Sequence, residues 1–336
     1  MTYALILVIA VIATALAFEY INGFHDAANA IATVVSTKVL TPRKALLYGA
    51  CLNFCGAFFG THVAKTIGAG IVDAAIVTQP VILCALIGAI LWNLFTWSFG
   101  IPSSSSHALI GGLLGAAVAH NGLGVVHGEG LTEKVIIPMF ASPLIGFLAG
   151  FFIMLVLLWI FAKASPERIN KKFKFLQLIS SGIMAFSHGS NDAQKTMGII
   201  TLSIIAYKFQ AYNIETQNFS VPIWVIFICA LMMGLGTMAG GWKIIHTIGS
   251  KVIKLKPIHG FAAETTAATT ILTASWFGFP VSTTHIISTA IMGVGSTIRF
   301  SAVKWGLVGN IVLAWFLTIP ICAILSWVLY KVFVPG

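Results

Sequence analysis

Two short stretches, GFHDAANA (residues 23–30) and GSNDAQKT (189–196), each set an aspartate, Asp26 and Asp192, in apolar surroundings. A carboxylate at the centre of a bilayer costs about 3 kcal/mol or more, so an acid there points to function. In the first stretch Glu19, Asn22, Asp26, Asn29 and Thr33 advance by 3, 4, 3 and 4 residues and share one stripe of a helix. Helix-to-helix glue explains a lone Asn or Thr. It explains poorly an acid that recurs at the matching place, with Asn191 beside it and Lys195 three residues on.

Two further stretches, GIPSSSSH (100–107) and GFPVSTTH (278–285), bring Pro102 and Pro280 in soon after a glycine and just ahead of hydroxyl residues. These are Ser103, Ser104, Ser105 and Ser106 in the first, and Ser282, Thr283 and Thr284 in the second. Pro followed by Ser or Thr opens helices. The first amides of such a helix lack an intrahelical acceptor and need a partner in lipid. Hydroxyls and free amides at a positive helix end make an anion site, and with Lys195 nearby they suit a tetrahedral oxyanion. Asp26 and Asp192 fit beside an anion only if a Na⁺ ion or a proton enters with it, which makes the loading of the two species interdependent. No cofactor is expected beyond that co-transported ion, and no resident metal. His25 and His188 flank the acid motifs and suit proton carriage. Glu264, in the apolar stretch 261–277, is either a further coupling acid or a partner for a lysine. His107 and His285 either touch substrate or hold the hairpins by bonding main-chain carbonyls.

The elements that must position these groups follow from composition. Of 336 residues 58% are hydrophobic and only 8% charged, and the mean hydropathy is +0.97. That departs far from a globular norm of about 25% charged, and apolar stretches long enough to cross a hydrocarbon core of about 30 Å recur along the chain. The lipid bilayer is therefore the first expected partner. The net charge of +10 lies in short loops without interleaved aromatics, which excludes a nucleic-acid binder. Met1-Thr2-Tyr3 is no basic leader, so the first apolar run is expected to be a span. The five cysteines show no CxxC and are expected to be packing residues.

The chain also resembles itself. Besides the two pairs above, KTIGAGIV (65–72) matches HTIGSKVI (246–253), and the three matches keep one order, displaced by 166, 181 and 178 residues. Each half is one repeat. We expect residues 1–162 and 176–336 as the two membrane repeats, joined by a cytoplasmic loop at 163–175. If 37–44 is inside, spans at 45–64, 138–162, 176–206, 222–241 and 305–330 alternate with double passages at 80–120 and 261–298. That layout puts Lys38, Arg43, Lys44, Lys163, Arg168, Lys171, Lys172, Lys174, Lys243, Lys251, Lys254, Lys256, Arg299 and Lys304 inside. Only Lys65, Lys134, Lys208 and Lys331 fall outside, as the positive-inside rule requires. A loop that is basic in one half is nearly bare in the other, so the repeats are inverted, the mark of secondary transporters. The expected fold is an all-α polytopic membrane protein with two inverted-topology repeats and re-entrant half-helix hairpins. Both termini lie outside, and the compartment is a bacterial cell or inner membrane. A homo-oligomer is left open.

At these residues the sequence resembles the inorganic phosphate transporter (PiT) family, whose duplicated signature corresponds to GFHDAAN and GSNDAQK and whose hairpin tips correspond to IPSSSSH and FPVSTTH. The resemblance covers essentially the whole chain. It implies phosphate held between the hairpin tips and a broken first helix in each repeat, with Asp26, Asn29, Asp192, Ser104, Ser105, Ser106, Ser282, Thr283 and Thr284 at matching positions. His25 and Lys195 stand where the family has Asn, and Asn53 where many relatives have Glu, which leans towards H⁺ over Na⁺. The expected function is thus a symporter importing inorganic phosphate by alternating access. Asn29, Ser103 to Ser106, Lys195, Ser282, Thr283 and Thr284 would bind substrate, and His25, Asp26, Asn191, Asp192 and Glu264 would couple the cation. A sulfate or other oxyanion symporter and a passive anion channel are the alternatives of the same architecture. An intramembrane metal-dependent hydrolase built from His25, Asp26, His188, Asp192 and His285 is the alternative of another class. It lacks HExxH and any trio at ligand spacing, so an enzyme is not expected.

Overall fold

The structure is a computed structural model that describes residues 2–73, 76–212 and 219–334. Helices α1 (Thr2–His25) and α2 (Ala27–Ser36) form one apolar run interrupted only at Asp26. They are followed by α3 (Pro42–Gly56), α4 (His62–Ala69), α5 (Gln79–Phe99) and α6 (Ser105–Asn121). Next come the run α7 (Gly128–Ile160), the 47-residue α8 (Pro166–Tyr212) and α9 (Ile223–Ala239), which bends by 63° into α10 (Trp242–Lys251). The chain ends with α11 (Pro257–Trp276), α12 (Thr283–Ile298) and α13 (Trp305–Phe333). The described residues hold no strand beyond an isolated bridge between Val72 and Val126. Tyr3–Ser36, α5, α7 and α13 are each long and apolar enough to cross a membrane. At about 1.5 Å per residue α8 reaches about 70 Å, far more than a hydrocarbon core of about 30 Å.

Several expected boundaries move. The span expected at 45–64 ends at Gly56, and α4 starts at His62. The break is held by Gln194 of α8, whose Oε1 accepts from Val63 N at 2.9 Å while its Nε2 donates to Phe59 O at 3.3 Å. Residues 163–175, expected as a loop, are helical from Pro166, because Pro at the first position with Glu167 in the first turn opens α8 early. The break expected in the first helix of both repeats is present in one only. It occurs at Asp26, and α8 runs unbroken through residues 189–196.

Both hairpins form as their sequences require. α5 ends at Gly100 (φ +66) and α11 just before Gly278 (φ +74), left-handed conformations that glycine adopts without penalty. In each a few extended residues follow, and then Ser104 or Ser282 caps the next helix, accepting from His107 N or His285 N at 3.2 Å. The third repeated motif has a role here. Thr66 Oγ1 donates to Gly278 O at 2.7 Å, and Thr247 Oγ1, at the matched position, donates to Gly100 O at 3.0 Å. Each TIG segment thus latches the hairpin turn of the other half.

The halves also exchange partners. α6 lies along α13 so closely that a Cβ at Gly115 would stand 2.0 Å from Ala323 O, and α12 lies along α7 with a Cβ at Gly293 at 2.0 Å from Phe147 O. Small residues allow such approach in membranes. From their tips α6 and α12 enter different apolar cores. Leu109, Leu113 and Ala116 join one with Met197 and Leu202 of α8, whereas Ile286, Ile291 and Val294 join the other with Phe173 and Met184. Since α8 threads both cores, the two hairpin helices point away from each other along it.

Candidate substrate and coupling site

The site lies where the two hairpin tips meet the middle of α8. Lys195 reaches up from α8 and donates to Asp192 Oδ1 on its own helix, to Ser106 Oγ at the tip of α6, and to Val281 O just before α12, the last at 3.0 Å. Ser106 Oγ also lies 3.4 Å from Val281 O, so the tips touch directly. Behind them the His107 and His285 rings meet edge to face at 4.8 Å, and His285 stacks on Trp315 at 4.0 Å. Trp315 Nε1 donates to Pro102 O at 2.9 Å. These contacts place the two histidines as braces between hairpins.

α2 supplies the opposite wall. Asn29 Nδ2 donates to Thr283 Oγ1 at 3.2 Å and to Thr284 Oγ1 at 2.8 Å, and Thr283 Oγ1 donates to Asp192 Oδ2 at 3.3 Å. Asn191 Nδ2 holds Ser275 Oγ at 2.8 Å and Phe279 O at 3.3 Å, fixing the descent into the second hairpin. Every one of these side chains is buried. Asn29 Oδ1, Ser105 Oγ and Asn191 Oδ1 have no partner among the described residues, and buried polar atoms without a partner cost about 1–3 kcal/mol each. Because Ser104 and Ser282 cap only the third amide of their helices, the first two amides of α6 and α12 have no intrahelical acceptor. Unpaired donors at two facing positive helix ends favour an oxyanion.

The acids are arranged unequally. Asp26 Oδ1 lies 2.7 Å from His25 Nδ1, and His25 Nε2 faces Thr96 Oγ1 at 3.1 Å and Ser103 Oγ at 3.4 Å. Asp192 is held by Lys195 and by His188 Nε2 at 3.2 Å, and His188 Nδ1 faces Asn53 Oδ1 at 3.1 Å. Asp26, His188 and Asp192 bring ligand atoms within 4.8 Å of one another, a trio the spacing along the chain hides.

Of the sequence-predicted residues, Asn29, Asp26, His25, Asn191, Asp192, Lys195, Ser106, Thr283 and Thr284 converge here. Ser104 and Ser282 serve as caps, and Ser103 belongs to the His25 network. Glu264 stands apart. It accepts from Thr33 Oγ1 at 2.5 Å, from Gln177 Nε2 at 3.0 Å and from Ser180, which bolts α11 to α2 and α8 without a lysine partner. Glu19, which shares the helical stripe of Asn22 and Asp26, is fully buried and accepts from Thr196 on α8, while its Oε1 has no partner among the described residues. Its spacing of three residues to Asn22 and four more to Asp26 is the sequence signal for it.

The model of the phosphate transporter family matches residues 22–326. The chain belongs to that family. It is 49% identical over 330 residues to a probable low-affinity inorganic phosphate transporter of Rhizobium meliloti (strain 1021), covering 98% of this chain and 97% of that one. A probable low-affinity inorganic phosphate transporter of Bacillus subtilis (strain 168) is 46% identical over 332 residues, with 98% of each chain covered. Among solved structures it is similar to a sodium-dependent phosphate transporter, with a TM-score of 0.86 and 26% identity over 99% of both chains. As a member of this family the chain is an integral membrane transporter and not an enzyme, which removes the hydrolase alternative.

Proposed function

We propose that the protein is a symporter that imports inorganic phosphate together with a proton by alternating access. The observation that carries this reading is the meeting of two hydroxyl-capped helix ends across Lys195, with Asn29 on one side and Asp26 and Asp192 beside them. In this reading phosphate enters between the tips, taking the free amides of α6 and α12, the unpaired Ser105 hydroxyl and the Thr283 and Thr284 hydroxyls as donors. Asn29 and Asn191 turn to meet it. The acids repel the anion unless a cation is loaded, so neither species crosses alone. His25 and His188, each against an aspartate, give a proton a place to sit, and the imidazole in the Asp26–His188–Asp192 trio is a poor ligand for a hard cation that takes oxygens. The solved neighbour is named sodium-dependent, and Na⁺ is the competing reading of the coupling ion.

Alternating access would come from the two latches. With Thr66 and Thr247 both engaged, the tips are closed from either side, and releasing one frees one hairpin at a time. We place repeats 1–162 and 176–336 in opposite orientation across a bacterial cell membrane, both termini outside and 163–175 cytoplasmic. The divergence of α6 and α12 into separate cores supports that arrangement, as does the charge count. The test is uptake of radiolabelled phosphate by proteoliposomes carrying an imposed pH or Na⁺ gradient, with unlabelled phosphate or sulfate as competitor. The expected result is concentrative uptake driven by an inward pH gradient and competed by phosphate but not sulfate. Equal uptake without any gradient would make the protein a channel.

A further inference from the structure

The proposed binding role of Lys195 meets a stoichiometric difficulty. An ammonium has three N–H donors and no acceptor. All three are spent, on a carboxylate oxygen of Asp192, the hydroxyl oxygen of Ser106 and the main-chain oxygen of Val281. None is left for phosphate in this closed state, and Lys195 is only 1% exposed. An ordinary helix pair between Asp192 and Lys195, three residues apart, would leave the head group pointing where water or substrate could reach it. Here two of the three partners come from elements far along the chain, one from each hairpin tip.

That set of partners is what a small hard cation takes: a carboxylate, a hydroxyl and a carbonyl from an unwound segment at a half-helix end. We propose that the Lys195 ammonium is a tethered cation, filling a monovalent-cation position between the tips so that transport needs no Na⁺ there. The inference deepens the reading of the protein as a phosphate symporter by naming what fixes its cation choice. The two positive helix ends converge here, and it is the Asp192 carboxylate that offsets them, while Lys195 ties that carboxylate to both tips through Ser106 and Val281. Since the charge is carried by the chain, it cannot be released to the other side, and the ion that travels with phosphate must bind elsewhere, at the His25–Asp26 and His188–Asp192 pairs.

The test compares the wild type with Lys195→Asn in proteoliposomes, at one fixed pH gradient, with external NaCl, KCl or choline chloride. Wild-type initial rates of phosphate uptake are expected to agree within about twofold across the three salts, below the roughly tenfold change that 1.4 kcal/mol would bring. Lys195→Asn opens the cage. Its uptake in choline is expected to fall at least about 100-fold, because breaking a buried charge pair leaves Asp192 uncompensated, and Na⁺ is expected to restore a measurable part of it. Wild-type uptake that collapses without Na⁺ overturns the proposal, and so does a variant equally active in choline and Na⁺. A variant inactive in every salt is read by thermal unfolding of the purified protein. A rise in its midpoint with Na⁺ over choline, absent in the wild type, supports the cage, and no rise with any monovalent cation overturns it. If the wild type moves no phosphate under any gradient, the symporter reading fails by itself, and the unfolding comparison still decides the cage.

Discussion

The two aspartate motifs are nearly the same in sequence and opposite in mechanics. At Asp26 the helix gives way: the residue sits at φ −95° and ψ 4° between α1 and α2, and its carboxylate is served by the neighbouring His25. At Asp192 the helix runs straight through, with Lys195 one turn on donating to the carboxylate and His188 one turn back standing 3.2 Å from it on the same face. One motif is a joint and the other a post. A duplicated sequence therefore does not carry duplicated duties. The lysine at position 195, which aligns with Asn29 of the first motif, puts a fixed charge on the unbroken helix.

The sharpest way to break this comparison is to neutralise each acid. Asp192→Asn strands Lys195 as a buried charge without its counter-ion, a loss of about 3 to 5 kcal/mol. We expect phosphate uptake to vanish and the unfolding midpoint to fall, and the double change Asp192→Asn with Lys195→Met to recover much of the midpoint but none of the uptake. A double variant as unstable as the single would show that the post depends on more than the pair. Asp26→Asn is expected to abolish accumulation equally while costing only about 1 kcal/mol of stability, since the amide still accepts from His25 and strands no lysine. Equal destabilisation by the two single changes, measured by unfolding of the purified proteins, would erase the distinction between joint and post.

What the sequence discloses of this arrangement follows the range of the interactions. The hairpins are legible because their determinants are local: Gly100 and Gly278 at left-handed turns, and Ser104 and Ser282 each capping an amide three residues on. The acid and hydroxyl residues are legible for the same reason, since a polar side chain in an apolar run is conspicuous by itself. The break between α3 and α4 is not, because the residue that holds it, Gln194, lies 131 residues from Val63. Glu264 is conspicuous as an acid in an apolar run, but its donors Thr33 on α2 and Gln177 and Ser180 on α8 lie far along the chain, and the unbroken passage of α8 through residues 189–196 is not legible from its match to the broken first motif. Contacts between the two halves of the chain are of this kind, as where Thr66 meets Gly278 and Thr247 meets Gly100.

The latches extend the same comparison to the gates and carry the smallest expected effect. Thr66→Val and Thr247→Val keep shape and remove one hydroxyl donor each, worth about 1 kcal/mol, or about a fivefold shift between states. If the two hairpins are independent gates, the shifts are opposite in sense. In a variant lacking the five native cysteines, maleimide labelling of Phe279→Cys should rise with Thr66→Val and stay level with Thr247→Val, and labelling of Ile101→Cys should do the reverse. The directions follow from which turn each threonine holds, Gly278 for Thr66 and Gly100 for Thr247. A rise at both reporters from either change would mean that the hairpins open together, and two gates that open together describe a pore, in which the charge fixed at Lys195 and the joint at Asp26 would have nothing to alternate.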